Sequence, residues 1–128
     1  MTGKEVYERA CAYLFEKPGV DTAFYNASLH LINNLIAEAI PYQNNRNRAE
    51  GKEEVKSIRI KELNDDIALD APIVEIALPF GLASYFFQDE HDTERSNEYR
   101  SRFVVALQEA SVCETMDITD EYATESEE

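Results

Sequence analysis

The stretch of sequence that decides the fold is residues 72–89, PIVEIALPFGLASYFFQD. Up to Phe87, only Glu75 and Ser84 in this stretch are plainly polar, so it presents apolar surface in every direction, as an element buried on nearly all sides does. The stretch is long for a strand, and residues 80–87 add two further turns at helical spacing. We therefore predict a helix that forms the core of the fold.

A buried strand over residues 73–78 is the alternative to a helix, because a short apolar run fits both structures. A membrane span is excluded, because a bilayer needs about 20 apolar residues. The run is shorter than that and contains Glu75 and Pro79. The sequence therefore predicts no membrane partner.

A packing motif lies within this stretch and consists of Pro79, Phe80, Gly81, Leu82 and Ala83. Pro79 lacks a backbone N–H and crowds the carbonyl of Glu75, so we expect a kink there, or a helix that restarts with Pro79 in its first turn. Gly81 costs a helix interior up to about 1 kcal/mol relative to Ala, and a close helix crossing would recover that cost. The motif therefore predicts a shaped contact surface between helices.

The chain has 128 residues, the length of one domain, and folding buries about two thirds of the unfolded surface of such a chain. Cys11 and Cys113 lie far apart, and neither has a second cysteine or a histidine at metal-ligand spacing. We expect both cysteines to be reduced and packed. The N-terminal segment carries charges throughout and has no apolar run of signal-peptide length, which predicts a cytoplasmic protein.

The charge is distributed unevenly along the chain. A net charge of −14 argues against binding of duplex DNA by the whole surface, because affinity for DNA rests mainly on Lys and Arg contacts to phosphates. Residues 44–62 nevertheless hold six of the 12 basic residues against four acidic ones, whereas residues 114–128 are acidic without a basic partner. The sequence therefore predicts a local basic patch, an acidic end and no specific nucleic-acid partner.

A capping box marks the start of the first helix, since Thr2 is followed three residues later by Glu5. Apolar residues then recur at intervals of three and four, which predicts a helix over residues 3–16. Pro18 and Gly19 end this helix.

A second helix is predicted to begin at a cap formed by Asp21 or Thr22, and its regular pattern stops at Pro41. Residues 44–56 are polar and lack periodicity, so we predict an exposed loop that acts as a mobile arm. Residues 57–63, SIRIKEL, alternate apolar and charged side chains and could form a short extended segment. The chain has no second strong strand to pair with it, so a sheet is not expected.

The last helix is predicted to begin at Asp92 or Thr93, with Glu98 and Arg102 as an exposed ion pair one turn apart. Beyond Cys113 the chain is acidic and poor in large apolar residues, so we expect a flexible tail. The predicted fold is therefore all-α, a small bundle of four main helices with a long polar loop. Residues 1–113 form the helical domain, and residues 114–128 form the acidic flexible tail.

The sequence predicts no catalytic, cofactor-binding or metal site, and we expect a protein that is not an enzyme. His91-Asp92 is the kind of pair found in metal-dependent phosphohydrolases, but His30 is the only other histidine. The acidic groups within residues 65–70 and 89–92 lack the ligand spacing of an EF-hand loop. Gly51-Lys52 lacks the first glycine and the final Ser or Thr of a phosphate-binding loop. Helix capping and turn formation explain these residues.

Several short motifs recur in an order that is typical of one protein family. The motif FGLA at residues 80–83 is followed by the acidic DEHD at 89–92 and by a helix with Tyr99. Upstream, LINNL at residues 31–35 precedes the Asn/Arg-rich loop, Gly51-Lys52 and a segment from Ile60 through Asp66 to Leu69. In this order, over about residues 27–110, the chain resembles the small helical head-to-tail connector (adaptor) proteins of tailed bacteriophages and prophages. Phe80 stands where that family has Tyr, and the acidic tail is longer.

This resemblance implies a non-enzymatic structural protein of the virion, present in the host cytoplasm before assembly. Family members are monomers in solution and assemble as a ring under the portal that continues the DNA channel toward the tail. The implied partners are further copies of the chain, the portal protein and tail-side connector proteins. We expect the free protein to be a monomer or a small oligomer, because the chain has no exposed heptad seam for a stable coiled coil.

A ring needs heterologous contacts, in which one face meets a different face of the next copy, and a basic loop against acidic surface suits such a contact. The predicted subunit or portal interface consists of Arg46, Arg48, Lys52, Lys56, Arg59 and Lys61. We expect charge reversal at Arg46 and Arg48 to block assembly onto the portal while the monomer stays folded. An ordinary solvated loop is the alternative for this segment. A cytoplasmic helical protein–protein interaction module, binding through the central helix, is the alternative function.

Overall fold

The computed structural model of the chain describes the backbone of residues 1–126 and the side chains of residues 1–111. Its regular elements are α1 (Gly3–Tyr13), α2 (Thr22–Ala49), a π-helical segment (Pro72–Ala77), α3 (Leu78–Asp89) and α4 (Thr93–Ser126). Within residues 1–126 there is no strand, and the only bridge between extended residues pairs Thr2 with Asp66. The predicted all-α fold with four main helices is therefore confirmed. None of these helices combines the length and the apolar character needed to cross a bilayer.

The central stretch is helical from end to end and lies at the centre of the protein. The π-helical segment and α3 pack against α4, α3 also packs against α1 and α2, and α2 completes the bundle against α4. Ile73, Leu78 and Leu82 are fully buried among side chains from these helices. The prediction that this stretch is the core helix is confirmed, and the alternative strand over residues 73–78 is not formed.

Pro79 lies in the first turn of α3, as predicted. Just before it the backbone forms a π-turn, in which the Leu78 N–H donates to the Ile73 carbonyl five residues earlier. Because Pro79 has no N–H to donate, the Glu75 carbonyl needs another partner. Arg9 provides it, with its Nη1 donating to this oxygen over 2.8 Å. The proline therefore ties α1 to the start of the core helix.

Gly81 lies where α3 crosses two other helices. A Cβ atom at this position would lie 2.6 Å from Leu35 Cδ2 of α2 and 2.9 Å from Phe103 Cδ1 of α4. Real Cβ atoms do not approach other atoms so closely, so only glycine permits the two contacts in their present positions. The close crossing predicted at Gly81 is present.

The predicted end of the second helix at Pro41 is wrong, because α2 continues through Pro41 to Ala49. A proline inside a helix removes one hydrogen bond to the carbonyl four residues earlier, here that of Ala37. Ala37 and Pro41 are both exposed, so water can satisfy that carbonyl. Beyond Pro41, the buried side chains Gln43 and Asn47 hold the helix to the rest of the protein. Residues 44–49, predicted as loop, are therefore helical.

The loop between α2 and the π-helical segment is fastened to α2 by asparagine side chains. Asn33 donates to the Ile60 carbonyl and accepts from the Ile60 N–H, at 2.9 and 2.8 Å. Asn44 pairs in the same two-way fashion with Val55, and Asn47 donates to the Glu53 carbonyl. The loop therefore lies along α2 instead of forming the separate arm that the sequence suggested.

Residues 57–63 are irregular and form no strand with any described residue, but they keep the predicted alternation. Ile58 and Ile60 point into the protein, whereas Arg59 and Lys61 are exposed. The side-chain amide of Asn33 forms the two hydrogen bonds with the Ile60 backbone that a neighbouring strand would form in a sheet. The segment is therefore extended without belonging to a sheet.

The predicted capping residues of α1, α2 and α4 are in place, and at α2 the Asp21 carboxylate accepts from the Phe24 N–H. The Thr2 hydroxyl accepts from the Glu5 N–H and the Glu5 carboxylate accepts from the Thr2 N–H, which forms the capping box of α1. Asp92 accepts from the Arg95 N–H at the start of α4. Cys11 is buried with a free thiol, as expected. Cys113 and the tail predicted for residues 114–128 lie outside the residues whose side chains the structure describes.

Candidate interaction surfaces

Arg46 is not the exposed interface residue that the sequence suggested. It is 8% exposed, its Nε donates to Asp70 Oδ2 over 2.8 Å, and its Nη1 donates to the Ala110 carbonyl over 2.7 Å. Arg46 is buried because α2 continues past Pro41. The helical spacing then places Arg46 on the same buried face as Ala39 and Gln43. The guanidinium therefore joins α2, the loop and α4 inside the protein.

A polar network surrounds this ion pair. Gln43 accepts from the Asp70 backbone N–H over 2.8 Å and donates to Asn47 Oδ1 over 2.9 Å. Burial by itself raises the pKa of Asp70, but hydrogen bonds from Arg46 and Gln43 and the charge of Arg46 outweigh it, so the pKa is lowered overall. The carboxylate is therefore held in its charged form, and the network fixes the segment that leads into the core helix.

The other five predicted interface residues are exposed, but two of them have partners within the loop. Arg48 pairs with Glu54, and Lys52 Nζ lies 2.8 Å from Glu50 Oε2. The side chains of Lys56, Arg59 and Lys61 form no ion pair with any residue of the part of the chain whose side chains are described. We call these three residues the basic segment.

A polar cleft of about 600 Å³ lies between α2, α3 and α4. Arg100 of α4 bonds Glu38 of α2 through both terminal nitrogens across this cleft. The hydrogen bond with Glu38 raises the pKa of Arg100 above its ordinary value. Since each of these two charges already has its counter-charge, the pair serves to join α2 to α4.

An apolar groove of about 610 Å³ runs between the start of the core helix and α4. Its apolar lining is Ile76, Phe80, Val105 and Ala106. Ile76 is 52% and Val105 47% exposed, which is unusual for large aliphatic side chains that share one groove. Polar residues, among them Glu98, Arg102 and Glu109, form the rim. This combination of an apolar floor and a polar rim is typical of a protein contact site.

Three helices end in the same way, with a Schellman motif whose key residue has a positive φ. In α2 this residue is Gly51, with φ +73°, which glycine adopts without steric cost. In α3 it is His91, with φ +61°, and in α1 it is Phe15, with φ +56°. The backbone bonds from Phe15 to Ala12 and from Glu16 to Cys11 complete the motif of α1. Because of this turn, α1 ends at Tyr13, earlier than predicted.

Phe15 combines this strained backbone with almost complete exposure, 93% of its surface. Val20, in the same short loop, is 71% exposed. The loop is anchored to α1, since the Tyr7 hydroxyl accepts from the Gly19 N–H over 2.8 Å. We call Phe15 and Val20 the Phe15 tip, an apolar projection on an anchored loop.

We expect Phe15→Gly to stabilise the protein by about 1 kcal/mol, because glycine removes the cost of a left-handed conformation at an exposed position. Urea unfolding measures the effect as a higher midpoint with an unchanged slope. His91→Gly is the matched control, with a smaller gain expected, because histidine tolerates a positive φ better than phenylalanine. A lower midpoint for Phe15→Gly would show that the aromatic ring stabilises the free protein.

Acidic side chains crowd the base of the Phe15 tip. Glu90, at the end of α3, is close to Glu16 and Asp21. Partial burial and the negative charge of Glu16 raise the pKa of Glu90. The base of the tip is therefore acidic, and Lys17 is the one basic residue in the sequence from Leu14 to Asp21.

Comparisons of the chain with protein-family models, curated proteins and solved structures give no match. Among residues 1–111, no three side chains of the His, Cys, Asp and Glu type lie close enough together to hold a metal ion. The basic segment, the apolar groove and the Phe15 tip are therefore the features on which a functional argument can be built.

Sequence reasoning identified the basic segment but missed the other two surfaces. Phe15 was counted within the first helix, and the only local signal for its turn is Pro18, since proline often follows a helix end by a few residues. The groove forms between residues far apart in the chain, such as Ile76 and Val105, so no local pattern reveals it. The packing motif was recognised, and Phe80 of that motif forms part of the groove floor.

Proposed function

We propose that the protein is a structural, non-enzymatic subunit of a phage or prophage virion, a head-to-tail connector that forms a ring under the portal and continues the DNA channel to the tail. The observation that carries the proposal is the basic segment, with cations exposed on a chain of net charge −14. The order of the short motifs from LINNL to the helix with Tyr99 supports the choice of family.

The basic segment is held outward by the fold. Because both backbone groups of Ile60 are bonded to Asn33, the neighbouring Arg59 and Lys61 stand on the opposite, exposed side of the extended segment. Both side chains are exposed and have no ion-pair partner among the described side chains, so they are available to pair with carboxylates of another molecule.

A copy of the same chain, or the portal, suits this surface better than DNA does. The chain has 26 acidic residues against 12 basic ones, so a neighbouring copy offers many carboxylates. Duplex DNA would meet a few exposed cations on a protein that repels it overall, and such attraction is weak at physiological salt. The proposed partners are therefore further copies, the portal and tail-side connector proteins, in the virion and before assembly in the host cytoplasm.

We expect the double variant Arg59→Glu, Lys61→Glu to lose binding to the portal while remaining folded, because both side chains are exposed and unpaired. This variant replaces the pair Arg46 and Arg48 suggested by the sequence, since reversing the buried Arg46 would unfold the protein. Co-sedimentation with the purified portal measures binding, and circular dichroism measures folding. Lys4→Glu, Arg95→Glu is the matched control, with the same change in net charge at exposed residues outside the basic segment, the apolar groove and the Phe15 tip.

Portal binding by the Arg59 and Lys61 variant at the wild-type level would contradict the role given to the basic segment. Equal loss in the control variant would show that only the total charge matters. Salt-sensitive duplex binding by the isolated monomer, abolished by the same reversals, would make DNA the partner instead. If the wild-type protein does not bind the portal at all, the alternative of a cytoplasmic helical interaction module takes precedence.

A further inference from the structure

Residues 117–128 are the most acidic part of the chain. Six of these 12 residues are Asp or Glu and none is Lys or Arg, whereas the other 116 residues hold 20 acidic and 12 basic ones. Six like charges this close together repel one another, and such blocks are typical of segments that bind an oppositely charged surface. We call residues 117–128 the acidic segment.

The basic segment has the complementary charge. Its three cations are exposed and form no ion pair with any described side chain. Of the three carboxylates within residues 56–66, two have partners of their own. Asp65 accepts from the backbone N–H groups of Lys61 and Glu62, at 2.9 and 3.0 Å, and Asp66 lies 3.8 Å from the N-terminal amine. Glu62 is therefore the one unpaired carboxylate beside three unpaired cations in this part of the described chain.

α2 and α4 lie side by side and run in the same direction. Arg100 of α4 pairs with Glu38 of α2, and further along both helices the Asn45 amide donates to the Ser111 hydroxyl. α2 ends four residues after Asn45, but α4 continues from Ser111 to Ser126, which is about 22 Å at 1.5 Å per residue. α4 therefore carries residues 117–126 past the end of α2.

Two of the cations in the basic segment lie toward the other end of α2. They flank Ile60, which is bonded to Asn33, and Asn33 precedes Asn45 by 12 residues or about 18 Å of helix. Asp117 lies six residues past Ser111, about 9 Å further in the opposite direction. Along the bundle, the acidic segment therefore begins about 27 Å from these two cations of its own chain, so their pairing with it requires a second copy.

We infer that the acidic segment of one copy pairs with Arg59 and Lys61 of the next copy. The contact is heterologous, since two different surfaces meet, and repetition of such a contact can close a ring. The inference rests on the proposed function only for the ring, because the contact itself follows from the charges and positions of the two segments. Exposed ion pairs each contribute little, so the contact is weak between free copies and is strengthened where a ring holds neighbouring copies together.

Carbodiimide cross-linking can trap this weak contact, because it joins a lysine amine directly to a carboxylate that it touches. Isotope-labelled and unlabelled protein are mixed in equal amounts at about 1 mM, cross-linked and digested for mass spectrometry. Links that join a labelled to an unlabelled peptide report contacts between copies. We expect the acidic segment to be linked in this way to Lys61 about threefold more often than to Lys17, an exposed lysine that lies next to Glu16.

Two variants keep Lys61 as the reporter of the contact. Arg59→Glu places a negative charge near Lys61, so links between the acidic segment and Lys61 should fall by about threefold. Arg95→Glu is the matched control, since it makes the same change in net charge at an exposed position of α4, and it should leave these links unchanged. Circular dichroism checks that both variants are folded.

Absence of links between the acidic segment and Lys61 would overturn the inference, and so would equal numbers of links to Lys61 and Lys17. Links found only between peptides of the same isotope would place the contact within one copy and overturn it as well. Failure of the inference is distinguishable from failure of the proposed function. A ring on the portal without these links refutes the contact and leaves the connector role intact. Links between copies without any ring on the portal support the contact and refute the connector role.

Discussion

Gly81→Leu is expected to destabilise the protein by about 3 kcal/mol or more. The Cβ atom alone would lie 2.6 Å from Leu35 Cδ2 and 2.9 Å from Phe103 Cδ1, so the larger side chain has to push α2 and α4 away from α3. Thermal unfolding measures the effect as a fall in melting temperature of about 10 °C or as failure to fold.

Two further variants make this test specific. Gly81→Ala should cause a smaller loss, because the same two contacts are strained by a single methyl group. Ala12→Leu, at an exposed position of α1, is the control for adding a large apolar side chain to a helix, and it should leave the melting temperature nearly unchanged. A melting temperature for Gly81→Leu equal to that of the wild type would show that α3 does not cross α2 and α4 at Gly81.

Arg46→Met is expected to cost about 3 kcal/mol at neutral pH, because it leaves Asp70 without its ion-pair partner and the Ala110 carbonyl without its donor. Because Asp70 is partly exposed, the expected free-energy cost lies at the lower end of the range for breaking a buried ion pair. Arg48→Met, two residues further along α2, is the matched control, and its exposed side chain should contribute less than about 0.5 kcal/mol. Equal effects of the two substitutions would contradict the buried position of Arg46.

The Arg46 effect should also depend on pH. Since the pKa of Asp70 is lowered in the folded protein, the stability that the ion pair contributes is fully present above the ordinary Asp pKa of 3.8. It is lost as the pH falls from that value through the lower pKa of the folded state. Urea midpoints of the wild type and of Arg46→Met should therefore differ by a constant amount above pH 5 and converge in stronger acid. A gap that widens in acid would contradict the assigned ion pair.

Local signals in the sequence were sufficient for much of the fold. The capping box of Thr2 and Glu5 predicted the start of α1, and Asp92 predicted the start of α4, because each cap involves residues only three apart. Gly81 was identified as a crossing point because a glycine in an otherwise apolar helix needs a steric reason. The caps were predictable because cause and effect lie within one turn of helix, and Gly81 was predictable as a crossing point although its partners Leu35 and Phe103 were not.

The predictions that failed depended on contacts between distant residues. Pro41 normally ends a helical pattern, but two bonds to Asp70, a residue in another part of the chain, hold the second half of α2. Arg46 donates to the Asp70 carboxylate, and Gln43 accepts from the Asp70 backbone N–H. The loop after α2 looked like a free arm because polar residues without periodicity are typical of loops. Its attachment requires Asn33 to meet Ile60, and no spacing in the sequence indicates that pair.

The candidate site was predictable only in part for the same reason. Arg59 and Lys61 were identified from charge and alternation, which are local properties. Phe15 acquires its positive φ from the way in which α1 ends, and the groove needs Ile76 and Val105 to come together from two elements. The Phe15 tip and the apolar groove are therefore products of the fold.

The proposal that the chain forms a ring on a phage or prophage portal is tested by negative-stain microscopy of the wild-type protein mixed with that portal. We expect an additional ring of density, coaxial with the portal channel, at the tail-facing end of the portal. Portal particles that look the same with and without the protein, at concentrations that saturate any binding seen by sedimentation, would contradict it.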